Sequence, residues 1–182
     1  DFISGTVIAE ELELEPIQVR KDLAITGIIG KPRIGFPVQE LIEAINTFLH
    51  WNHVHNAIIV GAGHLGSALM GYAEFPRHGL RIIAAFDASP DKIGRTINHV
   101  PIYGVDELTN QVRGTDVDLA VLTVPSGYAQ EMTDLLVECG IKAIWNFTNV
   151  KIKTPEDVVV QKEDRSSGYA VLSVKMRVLN DP

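Results

Sequence analysis

The sequence is poor in cysteine and in aromatic residues, and it has no long uninterrupted apolar run. Its single cysteine, Cys139, excludes an internal disulfide. The apolar setting of that cysteine, LLVECGIKAIW, leads us to expect a small buried hydrophobe. No segment approaches the ~18 to 20 consecutive apolar residues of a membrane-spanning helix. The first residues also lack the basic-then-apolar layout of a secretory signal. A cytoplasmic protein with no membrane partner is therefore expected. An excess of positive charge is missing too. The formal net charge of −7 argues against indiscriminate polyanion binding by the whole chain, but it leaves room for a local basic patch. What is present is a 46% hydrophobic composition over 182 residues, enough for a packed core. That length fits one full domain with a smaller companion.

The first third of the chain has its own grammar. SGTVIAEELEL reads as a helix capped by Ser4 or Thr6, with Val7, Ile8, Leu12 and Leu14 facing inward. EPIQVRKDLAITG reads as a second helix. Pro16 lies in its first turn, Ile17, Leu23 and either Val19 or Ala24 face inward, and Gly27 ends it. Two short helices joined by a tight turn are the minimal helix-turn-helix layout. GIIGKPRIGF then suits a small hairpin, or wing, with Lys31 and Arg33 near its tip. PVQELIEAINTFLHW supplies a third helix with Leu41, Ile42, Ile45 and Leu49 on one face. His50, His53 and His55 follow in a linker. Their loose spacing, without a completing cysteine or carboxylate, favours a solvated segment over a metal site.

From Ala57 onward strand and helix alternate. Strands are expected over 57–61, 81–87, 118–123, 142–146 and 158–161, and helices over 64–74, 105–112, 127–138 and 169–179. Runs such as LAVLTV are apolar on both faces, as in a covered parallel sheet. The fold class is thus α/β, a doubly wound parallel-sheet domain behind a small winged-helix-like domain.

AIIVGAGHLGSAL carries a G-x-G-x-x-G loop, residues 61 to 66: Gly61, Ala62, Gly63, His64, Leu65 and Gly66. Alone the pattern is weak. Here a strand precedes it, a helix follows, and a second strand ends in Asp87 about 20 residues on. Gly61 permits the tight turn, Gly63 lets the backbone approach a pyrophosphate, and Gly66 lets helix and strand pack closely. Asp87 can accept hydrogen bonds from ribose hydroxyls and would repel a 2′-phosphate, which favours NADH and NAD+ over NADP(H). Lys92 also belongs to the expected cofactor site, and a weaker NADP reading runs through Lys92 or Arg95. Thr123, Val124 and Pro125 end one later strand, and Asn146 and Phe147 end the next. Ligands of doubly wound sheets lie at such ends, so these five form the expected floor of the nicotinamide half.

A dehydrogenase needs a substrate pocket and an acid or base near the nicotinamide. No such constellation is apparent, and no catalytic residue or metal ligand is assigned. The pattern suggests a protein that binds its cofactor without turning it over.

QVRKDL, GAGHLGSAL, AAFDASPDKIGR, LAVLTVP, LLVECGIKAIWNF and LSVKMRVL occur in this order. In this the chain resembles the Rex family of redox-sensing transcriptional repressors from about Ser4 to Leu179. The resemblance implies a homodimer with an N-terminal winged helix, a Rossmann domain and a C-terminal helix swapped between subunits, which GYAVLSVKMRVL matches. It implies binding to palindromic operator DNA when NADH is low, and release when NADH rises. It places Gly61, Gly63, Gly66, Asp87, Thr123, Pro125, Asn146 and Phe147 around the cofactor. It also places Tyr103 and Asp164 near the dimer-facing part of that site, where they take part in the switch. The expected domains are 1–50 for DNA binding, 56–164 for NAD(H) and 165–182 for dimerisation. On the DNA side, Gln18, Arg20 and Lys21 lie on the recognition helix and Lys31 and Arg33 on the wing, where they can neutralise phosphates or read base edges.

The chain departs from the family pattern in several places. Family members carry a further helix ahead of the helix-turn-helix, and this sequence starts at Asp1, past it. RKDL continues as Ala24, Ile25 and Thr26 instead of a serine and an aromatic, and Pro32 stands where the wing is commonly basic. Arg165, followed by Ser166 and Ser167, replaces an apolar residue. His64 replaces an asparagine or arginine and would make pyrophosphate binding sensitive to pH. A second reading also stands: a Rossmann-fold NAD-binding oxidoreductase or regulatory subunit that does not touch DNA.

Overall fold

The computed structural model describes residues 1–180, apart from the side chains of residues 165 and 178–180. The chain divides into two compact units, Asp1–Val54 and His55–Pro182.

In the first unit, β1 (Phe2–Ile3) leads into α1 (Gly5–Glu11). Ser4 caps this helix, its hydroxyl oxygen accepting from the Val7 amide at 3.2 Å. α2 (Pro16–Ile25) starts on proline, whose fixed φ suits a first turn, and Gly27 follows it at a φ of 79°. β2 (Phe36–Pro37) pairs antiparallel with β1, and α3 (Val38–Phe48) closes the unit. The core is small: Ala9, Val19, Leu23 and Leu41 are buried, with Ile8 and Ile45 among the residues packed against them. Val7, Leu12, Leu14, Ile17, Ile42 and Leu49, all expected inside, are exposed. Short helices around so small a core bury only one or two residues each. Ala9, which carried no weight in the sequence pattern, is the side chain buried from α1.

The wing is tighter than the expected hairpin. A single antiparallel bridge joins Lys31 to Gly35, and Arg33 turns the chain at a φ of 63°. Gly35 is obligatory there: its φ is 104°, and a β-carbon would lie 2.3 Å from the Ile3 carbonyl oxygen.

In the second unit, β3 (His55–Val60), α4 (His64–Met70), α5 (Glu74–Arg77) and β4 (Leu80–Asp87) come first. β5 (Thr96–Ile97), β6 (Val100–Gly104), α6 (Leu108–Val112), β7 (Leu119–Leu122), α7 (Ala129–Glu138), β8 (Ala143–Asn146), β9 (Val159–Lys162) and α8 (Arg165–Asn180) follow. The sheet order is β5-β6-β4-β3-β7-β8-β9, parallel throughout except for β5. The first strand, β3, thus lies between β4 and β7, and the connections leave it in opposite directions. Ligands bind beyond the strand ends at that switch point.

The expected five strands form to within two residues at their ends. β5 and β6 were not expected, because proline and glycine in VPIYG mask the strand pattern. Asn98 and His99 join them, both at positive φ (48° and 67°), the geometry of a two-residue hairpin. The expected helix 64–74 stops at Met70 before Gly71. Those expected at 105 and 127 open as 3-10 turns over Val105–Glu107 and Ser126–Tyr128 before turning α-helical. α8 begins four residues earlier than expected because Asp164 caps it, accepting from the Ser166 amide at 2.9 Å and the Ser166 hydroxyl at 2.8 Å. The expected dimerisation segment 165–182 is this helix, and its last two residues lie outside the described residues. Cys139 is partly rather than fully buried, with its thiol 3.5 Å from the Thr109 hydroxyl oxygen. No helix among the described residues is long and apolar enough to cross a membrane.

Candidate functional site: a cavity at the strand switch point

β3 ends in a sharp turn at Gly61, with a φ of 102°. The Gly61 amide donates to the Phe86 carbonyl at 2.7 Å, and the Thr123 hydroxyl donates to the Gly61 carbonyl at 2.7 Å. The turn is therefore fastened to β4 on one side and to the end of β7 on the other. A β-carbon on Gly61 would lie 2.9 Å from the Thr123 carbonyl, and one on Gly66 would lie 2.0 Å from the Gly61 carbonyl oxygen. The fold itself demands both glycines. A β-carbon on Gly63 would meet nothing within 4 Å among the described residues. The second glycine of the motif therefore answers no steric need of the chain, and it faces space that a ligand backbone can use.

Asp87 ends β4 beside this turn. Its Oδ2 accepts from the Ala62 amide at 2.7 Å and from Lys92 Nζ at 3.0 Å, and its Oδ1 accepts from the Ser89 amide at 2.8 Å. Burial pushes its pKa up. The Ser89 amide, the Lys92 ammonium and the Ala62 amide together outweigh that effect and hold the carboxyl below its usual value. With a folded pKa below the unfolded one of about 3.9, Asp87 stabilises the fold above that pH, and the contribution disappears as pH falls through the folded value. Asp87→Asn should therefore be less stable than the parent near neutrality, and the gap should close below about pH 4. Urea unfolding over a pH series checks this, and a gap independent of pH would refute it.

A cavity of about 840 Å³ opens in front of these groups. Of the expected cofactor residues, Gly61, Gly63, Leu65, Asp87 and Lys92 line one part of it. Thr123, Val124, Pro125 and Phe147 line the other. Ala62, His64, Gly66 and Asn146 do not line it. Gly66 is buried behind the turn, and His64 is exposed at the start of α4. Asn146 is fully buried and serves the loop after β8. Its Nδ2 donates to the Val150 carbonyl at 3.0 Å, while its Oδ1 accepts from the Thr148 amide and hydroxyl at 2.8 and 2.7 Å. It shapes the floor from beneath by fixing Phe147 and Thr148.

The sequence reading missed Ser89, Val105, Tyr128 and Met132, which also line the cavity. Val105 follows β6, a strand the sequence pattern hid, Tyr128 ends the 3-10 turn that leads into α7, and Met132 lies in the first turn of α7. Tyr103 and Asp164, expected from the family resemblance to take part in a switch, stand apart from the lining. Tyr103 packs its ring 5.9 Å from that of Phe86. Asp164 is exposed, and the hydroxyl and amide of Ser166 hold its carboxyl below the usual value. The side chain of Arg165 lies outside the described residues. Phe147 continues into a row of rings: Trp145 at 5.0 Å, Phe75 at 5.7 Å from Trp145, and Tyr72 at 4.9 Å from Phe75. Trp145 Nε1 donates to Glu163 at 2.7 Å.

In the first unit, Arg20, Lys31 and Arg33 border one shallow depression of about 380 Å³, together with Ser4, Gly5 and Thr6. Lys31 also sits 5.0 Å above the Phe2 ring. Lys21 is exposed on α2 but does not border the depression, and Gln18 donates to Asp22 at 2.7 Å. Among the described residues, no group of three or more His, Cys, Asp or Glu is placed to hold a metal ion.

A parallel sheet in this order, with a glycine turn at its switch point and an acid ending the neighbouring strand, defines a Rossmann-type nucleotide-binding protein, here carrying a winged-helix-like unit. Residues 52–150 match the model of the CoA binding domain family. The chain belongs to the Rex family of redox-sensing transcriptional repressors: it is 60% identical over 176 residues to the Rex repressor of Treponema denticola, covering 97% of this chain and 84% of that one. It is 42% identical over 179 residues to the Rex repressor of Bacteroides thetaiotaomicron, covering 98% and 80%. A crystal structure of RSP in complex with β-NAD+ and operator DNA matches with a TM-score of 0.90 at 31% identity, over 96% of this chain and 81% of that one. RSP in complex with β-NADH matches with a TM-score of 0.86 at 30% identity over the same shares.

Proposed function

We propose that this chain is a cytoplasmic redox-sensing repressor that holds palindromic operator DNA as a homodimer and lets go when NADH binds. One observation carries the reading. A single chain joins a switch-point cavity with a ribose-reading carboxylate to a separate unit where Arg20, Lys31 and Arg33 converge.

In the cavity, Asp87 accepts from the adenosine ribose hydroxyls. The pyrophosphate crosses the open face of Gly63 toward the start of α4, and the nicotinamide lies over Thr123, Val124, Pro125 and Phe147. Nothing in this role requires turnover. The cofactor acts by binding one dimer arrangement better than the other, since equal affinity for both would shift nothing. In the released arrangement the two winged units no longer match half-sites about 34–36 Å apart. Tyr103 and Asp164 act at the dimer-facing side of this change. α8 supplies the swapped helix: Tyr169, Val171, Leu172, Val174 and Met176 are all more than half exposed on it, an apolar surface suited to a second copy.

The test is fluorescence anisotropy of a labelled palindromic operator library. We expect tight, sequence-dependent binding that NADH reverses and NAD+ leaves in place. Loss of the complex with both cofactors alike, or with neither while NADH binds by calorimetry, would contradict the redox reading.

A further inference from the structure

We infer that the outer ridge of α2 reads thymine methyl groups in the major groove, through Ile17 and Ile25 on either side of Lys21. The inference rests on the operator reading above and deepens it by naming what the helix recognises. α2 buries Val19 and Leu23. At about 3.6 residues per turn, Ile17, Lys21 and Ile25, spaced four apart, form one ridge on the opposite side, and Ala24 lies beside it. All four are exposed, Ile17 at 65% and Ile25 at 62%. The second helix of the helix-turn-helix thus turns a mostly apolar surface outward, with one ammonium at its centre. Ala24 and Ile25 are also positions at which the chain departs from the family pattern.

The polar neighbours on the helix are engaged elsewhere. On one flank Gln18 donates to Asp22 at 2.7 Å. On the other, the stem of Arg20 passes Gly5, where a β-carbon would meet its Cγ at 3.9 Å, and Arg20 borders the depression with Lys31 and Arg33. That basic flank decides the kind of partner. Phosphates held by Arg20, Lys31 and Arg33 set the register of a duplex and bring its base edges up to the ridge. Of the four bases, only thymine shows a methyl group in the major groove. Ile17 and Ile25 are eight residues apart, about 12 Å along a helix, which matches a major-groove width of about 12 Å. Lys21, between them, reaches a phosphate or the acceptor edge of a guanine. Each half-site therefore carries two thymines that the isoleucines cover separately.

Competition anisotropy on the full-chain dimer tests this. The operator is first selected from a random duplex library. Each thymine is then replaced in turn by deoxyuridine, which keeps the base pair and removes only the methyl group. In the parent, replacement at two thymines per half-site should weaken binding about three- to fivefold each, the worth of one buried methyl. Ile25→Ala should lose that penalty at one of them and Ile17→Ala at the other, while the salt dependence of binding stays that of the parent. Both positions are exposed and alanine suits a helix, so both variants should fold. Lys21→Ala is the contrast, weakening thymine and deoxyuridine duplexes alike. A parent indifferent to every methyl, or isoleucine variants that keep all of its penalties, would overturn the inference. Unchanged penalties with an altered mass in sedimentation would make the ridge a contact between copies of this chain instead. A parent without sequence-dependent binding would refute the operator reading and this inference with it. Binding that NADH reverses and no methyl affects would refute the inference alone.

Discussion

Gly66→Ala should destabilise the second unit by roughly 3 kcal/mol and abolish dinucleotide binding. The added β-carbon lies 2.0 Å from the Gly61 carbonyl oxygen and 3.1 Å from the Thr123 hydroxyl. The first of these is backbone, held by the same hydrogen bonds that shape the turn, so it cannot swing aside. Helix propensity points the other way, since alanine is better than glycine inside a helix by about 1 kcal/mol, but that gain is smaller than the clash. Gly63→Ala is the control. Its φ of −71° suits any residue and its β-carbon meets open space, so stability should stay within about 0.5 kcal/mol of the parent. NADH affinity should nevertheless fall, because the new methyl group stands where the pyrophosphate passes. Urea unfolding and NADH calorimetry on both variants separate the two roles. Parent-like NADH binding by Gly63→Ala would place the pyrophosphate elsewhere.

Replacing Arg20, Lys31 and Arg33 together by alanine should reduce operator affinity by about a hundredfold or more at physiological salt. These three basic side chains border one depression in the first unit, although they come from α2 and the wing. If each neutralises a phosphate, the slope of log affinity against log salt should become shallower by roughly 2.7. NADH binding should be unchanged, because the cavity is built wholly from residues after Val54. Equal loss of NADH and DNA binding would contradict this division of labour. Gln18→Ala should matter less for salt dependence, since Gln18 is uncharged and is held by Asp22.

The parts of the site that the sequence made legible are those where backbone geometry restricts the residue type. Gly61 and Gly66 are glycines because no β-carbon fits, and such a restriction leaves a readable spacing. Asp87 is legible for a related reason, since it ends the strand that pairs with the one before the loop. What stayed hidden depends on pairing across the sheet. β6 carries a proline and a glycine and looks like a loop until β4 is laid beside it, so Val105 could not be assigned to the cavity. Asn146 has a structural role that its place at a strand end does not announce: it exchanges hydrogen bonds with Thr148 and Val150 and so holds the loop after β8. In the first unit apolar periodicity overstated burial, because a core of four buried residues has no room for faces as wide as those the helices present.

The row of rings that runs from Phe147 through Trp145 to Phe75 and Tyr72 also has an optical consequence. The chain has two tryptophans, and Trp145 is the one in the second unit, one ring away from the cavity floor. Reduced nicotinamide absorbs where tryptophan emits, and oxidised nicotinamide does not. A nicotinamide on that floor places the acceptor within a few ring widths of the donor. Quenching of Trp145 thus reports the reduced cofactor selectively, by colour and with no label attached, and its extent follows the share of cavities that hold NADH.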